Sequence, residues 1–131
     1  MKTINVVAAV IINDDKIFTA QRPDRGEVAK MWEFPGGKIE KGEMEEEALL
    51  REIQEEFDTY LNVGKKIITI QHQYSNFKVI MSGFFCTIKH GNLDLKEHLD
   101  SKWLCIDNLE SVNWAPADRP IVKEVIKQLS Q

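Results

Sequence analysis

The chain has 131 residues, 43% of them hydrophobic and 29% charged, with a formal net charge of −4. That size and balance suit one folded domain with a substantial core, and they exclude a basic field able to hold polymeric nucleic acid. The longest apolar stretch, Val6 to Ile12, is too short to span a bilayer, and Met1-Lys2-Thr3 leads into it with no signal-peptide cleavage pattern. A cytoplasmic protein with no membrane partner is the expectation.

No repeat, low-complexity tract or Pro/Ser/Gly-rich linker divides the sequence, so residues 1–131 read as a single domain. Ile4 to Ile12 is β-branched and Ala/Val-rich, the pattern of a buried strand. Asn13-Asp14-Asp15 signals a turn, and Lys16 to Gln21 resumes as a strand. A polar loop from Arg22 to Lys30 precedes Trp32-Glu33-Phe34-Pro35-Gly36-Gly37, where one Pro and two Gly require a sharp turn.

Glu43 to Phe57 holds strong helix formers without Gly or Pro and predicts a helix, with Ala48, Leu49, Ile53 and Phe57 as its buried stripe. Val63 to Gln73 and Phe77 to Lys89 predict two strands joined at Tyr74-Ser75-Asn76, and Lys102 to Ile106 predicts another. Ile121, Val122, Val125, Ile126 and Leu129 mark a closing amphipathic helix, and Asp118 with Pro120 reads as its N-cap and first turn. Strands, helix, strands, helix give an α/β (α+β) expectation, a mixed sheet sandwiched between helices. Cys86 and Cys105, in apolar surroundings and without a ligand-like companion, read as buried reduced thiols.

Eight glutamates fall between Glu40 and Glu56, opposed there only by Lys41 and Arg51. Glu45, Glu46 and Glu47 are consecutive, point in different directions, and read as solvated. Glu52, Glu55 and Glu56 differ. At i, i+3 and i+4 they share one helical face, where like charges repel. A hard divalent cation reverses the sign of that interaction, because Mg²⁺ prefers oxygen ligands and lets substrate phosphates complete its shell. On the helix alone, a solvated acidic face is the simpler reading. Gly36-Gly37 upstream adds a place where backbone comes close to the helix start.

Gly37, five residues, Glu43, seven residues, then Arg51-Glu52-Ile53-x-Glu55-Glu56 resembles the Nudix box, the loop–helix signature of Nudix hydrolases; Asp58 stands where the family has Gly. Asp tolerates the left-handed conformation which that Gly would adopt. The resemblance extends to Val7–Ile12, Ala20–Pro23, Trp32–Lys38 and Ala115–Asp118, which look like the MutT subgroup of small nucleoside triphosphate pyrophosphohydrolases. It covers nearly the whole chain and is least specific over residues 64–90.

The resemblance implies a metal site of Glu52, Glu55, Glu56 and the Gly36 carbonyl for Mg²⁺, with Mn²⁺ as a substitute. Glu97, six residues before Trp103, is the implied additional carboxylate and base. Glu55, Glu56 and Glu97 then carry the chemistry while Arg51 orients the carboxylates and Glu43 supports the loop–helix. Arg22 and Lys38 are candidate phosphate contacts, Phe34 and Phe77 candidate base contacts, and Asp118 the candidate selector of the nucleobase. An ionised Asp118 would accept from the amino edge of cytosine or guanine. The implied activity is hydrolysis of an NTP or dNTP, of the 8-oxo-dGTP or CTP/5-methyl-dCTP type, to a monophosphate and pyrophosphate. The alternatives are a Nudix hydrolase of another nucleoside diphosphate derivative and a non-catalytic Nudix-fold binding module. The expected partner is a small nucleotide, and the state a monomer or homodimer. Nothing local to His72 or His98 singles out either for proton transfer.

Overall fold

The computed structural model describes residues 1–130. β1 (Lys2–Asn13) and β2 (Lys16–Gln21) form a hairpin. Asp14 and Asp15 at its tip both take positive φ, 50° and 63°, as a tight two-residue connection of right-twisted strands requires. β3 (Trp32–Glu33) pairs with β2, and β4 (Gly36–Lys38) pairs with β1. After α1 (Glu45–Phe57) come β5 (Tyr60–Gln73), β6 (Phe77–His90) and β7 (Asp100–Leu104). A short 3-10 helix (Ile106–Ser111) and α2 (Arg119–Leu129) complete the described elements.

The strands order as β3-β2-β1-β6-β5, with β4 on β1 and β7 on β2. β1 and β6 pair in parallel, and the other pairs are antiparallel. β1 explains the layering. Val7, Ala9 and Ile11 face a core shared with Ala48, Leu49, Ile53 and Phe57 of α1. Ala8 and Val10 face the other core, with Ile121, Val122 and Val125 of α2. Both faces are covered, so the strand reads as an unbroken apolar run. The expected mixed sheet between helices is what forms.

Boundaries shift where tertiary pairing outweighs local pattern. α1 opens at Glu45 instead of Glu43. Gly42 takes a φ of 85°, and Glu43 instead accepts the Glu40 N–H at 2.8 Å. Glu47 accepts the Met44 N–H at 2.8 Å and ties the helix start. Asp58 ends the helix at φ 52° and ψ 44°, the expected left-handed cap. β5 begins at Tyr60 because β6 runs on to His90 and offers it a partner. β7 occupies Asp100–Leu104, not residues 102–106, since its register follows β2 from Gln21 to Ile17; Ile106 is thereby left to open the 3-10 helix.

Cys86 is buried, and burial pushes its thiol up to about 12. Cys105, contrary to expectation, is exposed; it follows the end of β7 and its Sγ donates to Asn108 Oδ1 at 3.2 Å. Among the described residues, no helix is long and apolar enough to cross a membrane.

Candidate active site

Arg51 is the hub of the acidic face. Its Nε and Nη2 donate to the two carboxylate oxygens of Glu43 at 2.7 and 2.9 Å. Nη1 donates to Glu52 at 2.8 Å and Glu55 at 2.9 Å, and Nη2 also reaches the Lys38 carbonyl at 3.0 Å. A planar guanidinium spreads five donors over a fixed fork, whereas a lysine has three at a single nitrogen. The Arg51 hydrogen bonds hold the Glu43 carboxyl down to about 2. Glu52 goes the other way, because burial outweighs its bond to Arg51. Glu56 is raised from 4.5 to about 7 by burial and then by the charges of Glu52, Glu33 and Glu97, with His98 opposing them.

The glycines explain how backbone and carboxylate come together. In β4, Gly36 lies against the Val7 carbonyl so closely that any Cβ would overlap it. A Cβ on Gly37 would collide with the Glu52 carboxylate. β4 therefore brings bare backbone up to the acidic face of α1. Among the described residues, no three His, Cys, Asp or Glu side chains yet converge on one point; Arg51 is bonded to both Glu52 and Glu55. The donor set nonetheless fits a hard divalent cation. Glu52 and Glu56 are half-buried oxygen donors that repel each other, and Gly37 leaves the space beside Glu52 open.

A cavity of about 690 Å³ connects this face to the sheet surface. It is lined by Gly36, Gly37, Lys38, Glu52 and Glu56 and by Phe34, Tyr74, Phe77 and Asp118, with Arg22 and Glu33 also in its wall. Most of the residues expected from the sequence thus share one cleft. Glu55, Glu97 and Arg51 stand outside its lining; Glu55 and Glu97 are exposed. Phe34 is both core and wall, its ring 4.5 Å from that of Trp114. Phe77 is half-buried against Tyr74 at 5.3 Å.

Asp118 does not cap α2 with its side chain, as the sequence suggests it should. Its Oδ2 instead accepts the Phe34 backbone N–H at 2.9 Å, and its backbone is already helical at φ −80° and ψ −23°. The long-range bond wins because the Phe34 N–H is buried and would otherwise lack a partner. Burial, and then the charge of Glu33, push the Asp118 carboxyl well above the ordinary range. The expectation of a plain carboxylate acceptor changes accordingly, since the protonated form that burial favours also carries an O–H donor.

Glu33 and His98 are the residues the sequence did not single out. Glu33 Oε1 accepts from Arg22 Nη1 at 2.9 Å, and its Oε2 meets His98 Nε2 at 2.9 Å. His98 has only 5% of its side chain exposed and stacks on Phe57 with ring centroids 5.1 Å apart. Arg22 Nε and His98 Nδ1 are buried without a protein partner among the described residues. A charged residue placed between Trp32 and Phe34 was the available signal. His72 packs edge-on against Tyr74 at 4.5 Å. Glu45 is not a bystander, because it pairs with Lys66 of β5.

A family model described as "NUDIX domain" matches residues 7–124. The CTP pyrophosphohydrolase of Escherichia coli K12 is 37% identical, over 94% of this chain and 91% of its own length. The 8-oxo-dGTP diphosphatase of Proteus vulgaris is also 37% identical, over 66% of this chain and 78% of its own length. The solution NMR structure of the DNA mismatch repair protein MutT, family Nudix hydrolase, from methicillin-resistant Staphylococcus aureus 252 superposes with a TM-score of 0.80 at 46% identity, covering 98% of this chain and 99% of that one. Enzymes of this family generally depend on a divalent metal. With Gly37, Glu52 and Glu56 of the box in the wall of one cleft and matches that run over nearly all of its length, the chain is a MutT-like member of the Nudix hydrolase family and a hydrolytic enzyme.

Proposed function

We propose that the chain hydrolyses a nucleoside triphosphate to the monophosphate and pyrophosphate, using Mg²⁺, for which Mn²⁺ can substitute. The carrying observation is the mixed lining of one cleft, acidic side chains and bare glycine backbone together with Phe34, Phe77 and Asp118. That mixture suits a ligand with a charged phosphate tail and a flat, hydrogen-bonding head. The names of the relatives, a CTP pyrophosphohydrolase and an 8-oxo-dGTP diphosphatase, support the same class.

Glu52, Glu55, Glu56 and Glu97, with the Gly36 carbonyl, would hold the metal. Once bound, the metal supplies charge neutralisation of the phosphates and a lowered pKa for the attacking water. Arg51 keeps Glu52 and Glu55 oriented through the bonds described. Glu97 serves as the base that takes the proton of the water as it attacks, in the reading favoured here, the β-phosphorus. Lys38 and Arg22, both in the wall of the cleft, contact phosphate. Phe34 and Phe77 hold the base through apolar contact, and Asp118 reads its hydrogen-bonding edge.

The substrate favoured is a cytosine-bearing or modified nucleotide: 8-oxo-dGTP, CTP or 5-methyl-dCTP. Residues 1–131 then form one Nudix domain, a monomer or homodimer, cytoplasmic, acting on small nucleotides and not on polymeric nucleic acid or membranes. The test is a pyrophosphate-release screen over canonical, oxidised and methylated (d)NTPs with Mg²⁺, run on wild type and Asp118→Asn. Release from none of them refutes the proposal. An unchanged substrate ranking in Asp118→Asn would remove Asp118 as selector.

A further inference from the structure

The segment between Gly91 and Leu99 has no regular structure, yet it carries Glu97. Backbone bonds fix its two ends. The Leu93 N–H donates to Thr59 Oγ1 at 2.8 Å and the Asp94 N–H to the Phe57 carbonyl at 3.0 Å. At the far end the Leu99 N–H donates to the Gln21 carbonyl at 3.0 Å. Residues 95–98 have no such backbone anchor among these bonds. Their side chains take its place: Lys96 Nζ donates to the Glu55 carbonyl at 3.2 Å, and His98 stacks on Phe57 while meeting Glu33. Both neighbours of Glu97 are therefore fastened to the last turn of α1, on either side of Glu56.

We infer that His98 is a positioning residue: held by the Glu33 carboxylate and the Phe57 ring, it fixes the loop so that Glu97 faces Glu56. A loop carboxylate must be held to within a fraction of an ångström to work with carboxylates on a helix. Glu97 is exposed, and among the described residues no side-chain hydrogen bond or ion pair holds it. His98 is buried where Glu97 is not, so the fixed residue lends its position to the free one. The inference rests on the proposed role of Glu97.

A double-mutant cycle tests it. His98→Ala should lower kcat about 10- to 100-fold, the usual effect of losing a partner that orients a metal-site residue, with KM for the nucleotide little changed. His98→Gln, whose amide nitrogen can reach Glu33, should recover most of that loss. In the Glu97→Gln background, His98→Ala should add less than about a twofold further loss, because residues acting through one another are non-additive. If the alanine variant does not fold, His98→Asn, too short to reach Glu33, replaces it. Hydrogen exchange of residues 94–99 in metal-free protein gives a second readout, faster in His98→Ala and near wild type in His98→Gln. Losses that multiply, a Glu97→Gln enzyme as fast as wild type, or unchanged exchange each overturn the inference. A wild type that hydrolyses no nucleotide instead overturns the proposed function, and the exchange readout still tests His98.

Discussion

Replacing Glu56 by Gln should stabilise the metal-free protein while abolishing its turnover. Burial and the neighbouring Glu52 raise the Glu56 carboxyl from 4.5 to about 7 in the folded chain. A carboxyl with a raised folded pKa binds its proton more tightly folded than unfolded. Its stabilising contribution is complete below pH 4.5 and is lost as the pH rises through 7. At about 1.4 kcal/mol per pH unit, that window caps the cost of ionised Glu56 at about 3 kcal/mol. Solvent reaches part of the side chain and screens its charge, which reduces the figure to about 1–2 kcal/mol. Urea denaturation in a chelator should find Glu56→Gln about 1–2 kcal/mol more stable than wild type at pH 8, and about equal to it at pH 4.5. Glu52 and Asp118 are raised as well, so wild type loses stability over a wider range, and the difference between the two proteins isolates Glu56. A Glu56→Gln variant no more stable at pH 8 than at pH 4.5, relative to wild type, would refute the reasoning.

Three further changes probe the same face. Arg51→Lys should cost about 1–3 kcal/mol in urea denaturation, because one ammonium cannot replace bonds to Glu43, Glu52, Glu55 and the Lys38 carbonyl together; a loss below about 0.5 kcal/mol would mean that the fork is not what holds the cluster. Gly37→Ala places a methyl group on the Glu52 carboxylate and should weaken Mn²⁺ binding by calorimetry about tenfold or more, with a smaller effect on Tm. Glu43, held down to about 2 by Arg51, contributes stability above pH 4.5 that is lost as the pH falls towards 2. Glu43→Gln should therefore lose urea resistance at pH 6 and show little difference from wild type at pH 2.

What could be read from the sequence is what neighbours along the chain decide. The acidic face depends on i, i+3 and i+4 spacing within one helix, and β1 on a run of apolar residues, so both were legible. Asp58 could be placed in the left-handed region because it stands where the resembled family has Gly and Asp tolerates that conformation. Side-chain partners that come from elsewhere in the chain were missed. Asp118 beside Pro120 carries every local mark of a cap, but its oxygen goes to Phe34, 84 positions away. Glu33 gains its place through His98, 65 positions distant. Glu45 looked solvated because Lys66 lies on another element. For Asp118 a local propensity of about 1 kcal/mol gave way to a buried Phe34 N–H that required a partner.

The parallel seam between β1 and β6 bears on how the chain reaches this state. Lys2 pairs with Phe77 and Ile11 with Cys86, so every pair across the seam is separated by 75 positions. On the ribosome, one edge of the most apolar strand must wait for a partner that is made much later. The β1–β2 and β5–β6 hairpins can close locally, whereas joining them is a long-range step with a high entropic cost. Until then Val7 to Ile11 is a sticky, unpaired edge. Yield in a crowded cell then depends on how long that edge waits, and slower synthesis between residues 12 and 76 lengthens its exposure.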